Sequence, residues 1–392
     1  MSLLNDKTII IETYHTPTVR EFPVTEPTSG LAMLHEFSQT NDMWYCMITT
    51  GTSLRDVSIV ELMGQETYEK IINRTAFLVV DLPFEPFLNC IDSVYENAVQ
   101  EHGIPSSQII FMSAMFDSYE YNKKAAVRYN IEPINIFYFS ALEYMIHPNA
   151  VQYEPPSLEI KPYSKKFLNL NRRWREHRPV SVLLLRYRNL LEKGHVSFGP
   201  CENHGNWDAI WDTVCISGIG NSYMEKAIRE SVDIKNMPPL LLDTDELHTN
   251  RAVLESTTDP YYATSYFSLV SETTFYTKYY YQNSRFITEK TYKPIAMKHP
   301  FVLITIPKSL DVLKFLGYKT FSPWIDESYD NEMDDNRRLL MVMDEVERLS
   351  NLSDDELAEF ITETNKICEY NYNLLKNRTK FVYRMGETCS VI

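Results

Sequence analysis

Short apolar runs rich in Ile, Val, Leu and Phe recur along this chain, separated by segments whose apolar residues repeat every three or four positions. That alternation restricts the fold more than any single residue does. A strand, an amphipathic helix and a second strand close most readily as a parallel sheet with covering helices. In the first half the pattern predicts strands at 7–11, Trp44–Thr49, Ala76–Val80, Gln108–Met112 and Ile134–Phe139. Helices are expected at 89–102, stopped by Gly103 as a C-terminal cap, and at Tyr119–Tyr129. The stretch 148–163 holds Pro148, Pro155, Pro156 and Pro162 with few periodic apolar residues, and reads as a linker. Beyond it the alternation restarts, with strands at Phe167–Leu170, Leu240–Leu242, Tyr266–Val270 and Phe301–Ile306. Helices are expected there at 176–193, near 289–298 and near 308–316. From Asp335 onward the chain reads as helix, and Ser353-Asp-Asp-Glu356 has the spacing of a capping box. A length of 392 residues exceeds the roughly 100–200 of one domain. The expectation is therefore two α/β domains, at 1–155 and 160–345, followed by a C-terminal helical tail at 346–392.

Composition removes several classes. With 44% apolar and 23% charged residues, extensive disorder is not expected. Only 11 glycines leave no material for collagen-like or glycine-rich phosphate loops. The first residues lack the basic flank and apolar core of a secretory signal, and no apolar run approaches the ~18 residues of a membrane span. The six cysteines are dispersed without a Cys-x-x-Cys pair, as in reduced thiols, and the nine histidines show no His-x-x-x-His spacing suited to zinc. A cytoplasmic protein with no membrane partner is expected.

Charge is the more specific signal. The chain carries a net −15, yet Lys161–Lys193 holds ten Lys and Arg against Glu176 and Glu192, a net +8. Lys278–Lys308 holds six against Glu289, a net +5. Both islands fall in the expected second domain. Two solvated helix faces would account for them. So would one shared polyanion, most simply a nucleotide diphosphate: Arg offers planar two-point hydrogen bonding, Lys a point charge, and a helix N-terminus free N–H groups. An overall negative charge disfavours a nucleic-acid groove.

The second island contains the densest motif. A strand closing on Ser271-Glu272 is followed by Arg285-Phe-Ile-Thr288-Glu289-Lys290, a helix, and a Pro-led strand from Pro300. In a doubly wound sheet these residues would meet at the carboxyl ends of the strands, where such folds bind ligands. This segment resembles the donor-binding motif of fucosyltransferase-like glycosyltransferases. A closer resemblance, over about 165–350, is to glycosyltransferases of tailed phages and large viruses. It rests on the Asn171-Arg172-Arg173-Trp-Arg-Glu-His177-Arg178 run, Gly317–Phe321 and Asp326–Asp330. The Phe-Glu-Asn-Ser string of eukaryotic fucosyltransferases is replaced by Ser271-Glu272-Thr273.

The resemblance implies a GT-B fold of two Rossmann-like domains, acceptor side first and nucleotide-sugar side second. It implies transfer of a sugar from a UDP- or GDP-sugar to an acceptor hydroxyl, inverting and without a bound metal or other cofactor. Glu289 would hold sugar or ribose hydroxyls and Lys290 the diphosphate. Arg172, Arg178, Arg285 and Lys293 would add positive charge, and Ser271, Glu272 and Thr288 would complete the donor site. Asp326 and Glu327 either contact the sugar or cap a turn. The acceptor hydroxyl needs a carboxylate base, and Glu85, ahead of Asp81, follows a first-domain strand; structural capping is the competing role of both. His177 reads as a packed histidine. The acceptor would be a glycan, a protein hydroxyl, or a hydroxymethylated base of phage DNA, with the enzyme then in the host cytoplasm. The alternative is a non-catalytic nucleotide(-sugar)-binding or capsid-assembly protein that keeps the fold.

Overall fold

The run Ala-Phe-Leu-Val-Val-Asp-Leu forms β4 (Ala76–Leu82), buried at every position but Phe77. A strand covered on both faces carries no polar alternation, which is why the sequence shows none. The computed structural model describes residues 8–12, 18–21, 44–49, 58–82, 88–171, 175, 177–198, 242, 259–277 and 284–385. The chain divides into a first unit of residues 1–144, 279–286 and 379–392, and a second of 145–278 and 287–378.

In the first unit β4 pairs in parallel with β3 (Trp44–Thr49) and β5 (Ile109–Ser113). β6 (Asn135–Phe139) and β1 (Thr8–Glu12) extend the parallel sheet, and β2 (Thr18–Glu21) and β11 (Val382–Arg384) close its edges antiparallel. The order is β11-β6-β5-β4-β3-β1-β2. Helices α1 (Ile59–Met63), α2 (Gln65–Ile72), α3 (Cys90–Ser93) and α4 (Ser118–Tyr129) connect these strands. Ile59, Ile71, Ile91, Tyr95 and Ala125 from the connections share one core with Ile48, Leu78, Val80 and Phe111. On the opposite face Tyr45, Val79, Met112 and Phe137 pack with Phe286, Tyr144 and Phe381.

Three expectations change in this unit. The described strands β1, β3, β4, β5 and β6 lie side by side in chain order, without the reversal of a Rossmann-like sheet. Right-handed crossovers that always advance the same way put their helices on one face. The helix expected at 89–102 begins as α3 and widens into a π-helix at Val94–Glu101, with Gly103 at φ 67 beyond it. The chain end is not all helix: β11 sets Val382 opposite Phe139 and Arg384 opposite Phe137.

Helix α5 (Ala141–Gln152) carries the chain into the second unit. There β7 (Phe167–Asn171), β8 (Gly194–Phe198), β9 (Phe267–Ser271) and β10 (Phe301–Ile304) form a parallel sheet in the order β10-β9-β7-β8. The first of these strands therefore has the second on one side and the third on the other. Such a reversal leaves a crevice at the carboxyl ends, here between β7 and β9. Helices α6 (His177–Tyr187), α7 (Asp259–Tyr262), α8 (Glu289–Ala296), α9 (Ser309–Phe315), α10 (Asp335–Ser350) and α11 (Asp354–Lys376) complete the described unit. α6 is shorter than the expected 176–193 because the backbone turns left-handed at Asn189, φ 56, before a 3-10 turn at Leu191–Lys193. α11 starts with the expected capping box, Ser353 and Glu356 binding reciprocally. Apart from Leu242, the strand expected at Leu240–Leu242 lies outside the described residues.

The proline-rich stretch 148–163 is not a free linker. Pro148 lies inside α5, and the Tyr372 hydroxyl donates to the Ala150 and Tyr153 carbonyls at 2.9 and 3.0 Å. Asn365 donates to the Leu158 carbonyl at 2.8 Å. Prolines broke the apolar periodicity, but α11 supplies the polar partners that fix the backbone. Among the described residues no helix is long and apolar enough to cross a membrane.

One buried histidine sets a pH dependence. His299, 1% exposed, has Nε2 2.9 Å from the Ser265 carbonyl and Nδ1 2.8 Å from Ser268 Oγ. A carbonyl only accepts, so Nε2 carries the proton and Nδ1 accepts from the serine. This Ser-His pair lies at the amino end of β9 and is buried, a core contact rather than a nucleophile and its base. Burial lowers the His299 pKa from 6.5 to about 4. The unfolded chain takes the proton near 6.5 and the folded protein only near 4, so stability is lost as pH falls through that window. The full loss is on the order of 3 kcal/mol. Urea unfolding at pH 7 and pH 4 should show a smaller difference for His299→Gln than for the natural protein; equal differences would contradict this.

Candidate functional site

The second unit gathers its polar chemistry where β9 ends. Glu272, the first residue past that strand, is fully buried. A carboxylate without water must find several donors, and four reach it. Oε1 accepts from the Thr288 backbone N–H at 3.0 Å and Thr291 Oγ1 at 2.6 Å. Oε2 accepts from Thr288 Oγ1 at 2.5 Å and the Thr273 N–H at 3.2 Å. One side chain thus fastens the exit of β9 to the first turn of α8.

Two more side chains hold that exit from α6. Arg178, 2% exposed, donates to the Ser271 carbonyl at 3.0 Å and the Glu272 carbonyl at 3.4 Å. His177 Nε2 is 3.0 Å from the Glu272 carbonyl, and its ring stacks on Phe275 at 5.1 Å. Burial and the neighbouring Arg178 charge hold the His177 pKa well below its usual value, so the ring is a neutral donor. Arg338 does the equivalent from α10: it is 1% exposed and donates to the carbonyls of Thr305 at 2.9 Å, Phe275 at 2.5 Å and Glu332 at 3.0 Å.

On this frame sit Glu289 and Lys290, with side chains 30% and 27% exposed and 2.7 Å apart. The Lys290 ammonium also donates to Thr288 Oγ1 at 3.0 Å and Thr273 Oγ1 at 3.4 Å. Burial raises the Glu289 pKa, but the Lys290 charge and hydrogen bonds outweigh it, and the net shift is down. Three backbone N–H groups at this helix start are engaged: Thr288 with Glu272, Lys290 with Thr288 Oγ1 at 3.3 Å, Thr291 with the Thr288 carbonyl at 3.1 Å. An anion here would meet the lysine charge and the helix dipole more than a row of free amides.

The remaining expected residues are spread more widely. Ser271 is buried at the end of β9, and Lys293 is 7% exposed on α8. Arg285 belongs to the first unit, not to the α8 turn. There it grips Asp117 through Nε at 3.0 and 3.1 Å and through Nη2, and lies 4.6 Å from the Phe116 ring. Asp81 is 1% exposed near the carboxyl end of β4. Glu85 and Arg172 lie outside the described residues. Asp326 and Glu327 line a cavity of about 620 Å³ beside α9. There Asp326 accepts from the Ser328 N–H at 2.9 Å and Glu327 from the Phe321 N–H at 2.6 Å, both turn-capping bonds. Asp330, on the same cavity, caps α9 through Ser309 and Leu310, and burial pushes its pKa up to about 7. Among the described residues no group of three or more His, Cys, Asp and Glu side chains is placed to hold a metal ion.

The sequence expectations give no site role to Thr273, Thr291, Asn169, Asn171 or Arg338. The first two were legible as Ser-Glu-Thr-Thr and Thr-Glu-Lys-Thr, a run of hydroxyls around a carboxylate. The asparagines alternate with leucine in Leu-Asn-Leu-Asn, polar positions in a strand that the sheet buries. Arg338 carries no such signal, being the second of two adjacent arginines in an expected helix.

No family model matches the chain, and neither does any curated protein. Among solved structures it is similar to a point mutant of S. aureus TarM in complex with Fondaparinux, alpha-GlcNAc-glycerol and UDP. The identity is 11% and the TM-score 0.32, over 89% of this chain. The chain spans 59% of that protein's length.

Replacing Glu272 tests the frame directly. Glu272→Gln keeps the shape but turns one acceptor into a donor facing N–H and O–H groups that already donate. Hydrogen bonds to a buried charge are worth about 1.5–3 kcal/mol, and urea unfolding at pH 7 should show a loss of that size. A change within about 0.5 kcal/mol, ordinary for a surface site, would mean the carboxylate does not organise the turn.

Proposed function

We propose that the protein is a nucleotide-sugar-dependent glycosyltransferase whose second unit binds the donor at the carboxyl edge of its sheet. The observation that carries this reading is the partly exposed Glu289–Lys290 pair on a helix start fixed by Glu272. The fucosyltransferase-like motif supports it. The departing group of such a reaction is a nucleoside diphosphate, whose developing charge a fixed cation stabilises. Lys290 would exchange the Glu289 carboxylate for diphosphate oxygens. Glu289, released, would accept from ribose or sugar hydroxyls. Arg178 already donates to the Ser271 and Glu272 carbonyls. In this reading Arg178 acts by holding Ser271 and Glu272 in place.

Transfer also requires a base for the acceptor hydroxyl. Glu85 and Asp81 stay the assigned pair in our reading, with an inverted product. In this reading the lysine supplies the positive charge that a metal ion would otherwise bring, and no metal is bound. The acceptor classes remain a glycan or protein hydroxyl and a hydroxymethylated DNA base.

Calorimetry with UDP and GDP in EDTA is the test. One of them should bind, and Lys290→Ala should weaken it by roughly 10- to 150-fold, the worth of a charged hydrogen bond. Turnover should fall with it. Binding that needs added Mn²⁺ or Mg²⁺ would overturn the metal-free part. Affinity unchanged in Lys290→Ala would remove the diphosphate from α8.

A further inference from the structure

The crevice between β7 and β9 carries a polar feature that the donor-site reading above leaves unassigned. The two strands keep main-chain register only at Phe167 opposite Phe267 and Leu168 opposite Ser268. Beyond that point the Asn169 side chain spans the gap, its Nδ2 donating to the Leu269 carbonyl at 2.7 Å and lying 3.5 Å from Ser271 Oγ. Two residues further on, Asn171 is 2% exposed and its backbone N–H donates to Ser197 Oγ at 3.0 Å. Its Nδ2 donates to Asn169 Oδ1 at 2.5 Å. In a planar amide that bond leaves Oδ1 turned away from Asn169. Among the described residues, Asn171 Oδ1 has no hydrogen-bond partner.

A buried acceptor without a donor is costly and uncommon. This one stands at the end of β7, the strand from which the sheet order reverses, and such reversals are where open α/β sheets bind ligands. A carboxamide oxygen only accepts. The diesterified diphosphate bridge of a nucleotide sugar, ionised at neutral pH, has nothing to donate to it, whereas a hydroxyl does.

We propose that Asn171 is a ligand-reading residue whose side-chain oxygen accepts a hydrogen bond from a hydroxyl of the nucleotide or nucleotide sugar at the β7–β9 crevice. The proposal rests on the donor-site reading above. It assigns the lysine to the anion and the asparagine to the carbohydrate part, ribose or transferred sugar.

The natural protein and Asn171→Ala are titrated calorimetrically with UDP, GDP, their 2′,3′-dideoxy forms, UDP-glucose, GDP-mannose and inorganic diphosphate. The substitution should cost roughly 2- to 12-fold in affinity for a hydroxyl-bearing ligand, the range of a neutral hydrogen bond. It should cost nothing for inorganic diphosphate, which a merely structural role for Asn171 would not spare. If the hydroxyl is on ribose, the dideoxy form loses the same factor on the natural protein, and the two losses do not add. If it is on the sugar, only the sugar conjugates lose affinity. Should Asn171→Ala not fold, Asn171→Ser, which keeps a shorter acceptor, takes its place with the same expectation. Equal losses for inorganic diphosphate and nucleotides, or no loss anywhere, overturn the inference while the donor-site reading stands. Failure of the natural protein to bind any nucleotide overturns both.

Discussion

The second unit turns on one buried carboxylate. Glu272 stands where β9 stops, without water, and its four hydrogen bonds come from a threonine beside it and two threonines in the first turn of α8. A buried charge tolerates little displacement, because each lost donor leaves it less compensated. The strand exit and the helix start are therefore fixed relative to each other, and Lys290, bound to Thr288 and Thr273, inherits that position.

Cations complete the same frame from outside. Arg178 binds carbonyls at the end of β9, and Arg338 binds carbonyls from the β9 and β10 exits and from Glu332. Strand exits at the ligand-binding edge of an α/β sheet are loops, and their carbonyls cannot all be paired within a ladder. Buried guanidinium groups supply the missing donors with a rigid fork. Positive charge that looks, in sequence, like ligand-binding charge is in part the mortar of the loops. Arg178 is such a cation within the first basic island, whereas Arg338 lies outside both islands.

The alternation of apolar runs and amphipathic segments made the parallel sheets legible, because backbone pairing and burial leave a period in the sequence. The strands at Ala76–Leu82 and Phe301–Ile304 and the helices at Ser118–Tyr129 and Asp335–Ser350 follow it closely. Strand order leaves no such period. One-way winding in the first unit and the reversal in the second depend on which neighbours each strand meets. Prolines at 148–163 suggested a loose connection, yet partners more than two hundred residues away, such as Tyr372, fix it. At the site, Glu289-Lys290 stood out as a motif, whereas Arg285 was grouped with it by proximity in sequence. Only the fold reveals that Arg285 is matched to Asp117. Asn171 is legible as part of its motif, but an acceptor without a partner among the described residues shows only after folding.

If Glu289 and Lys290 hold the donor as proposed, their contact bears on selectivity. A lysine already neutralised by its neighbour offers little to chloride or free phosphate: drawing the ammonium away strands a carboxylate only 30% exposed. An anion alone would therefore exchange one ion pair for another and expose an uncompensated charge. A molecule that brings negative oxygens for the lysine together with hydroxyls for the glutamate leaves neither unmet. Under the proposed donor-site reading, the resting pair would favour a ligand that joins phosphate to carbohydrate over either half alone.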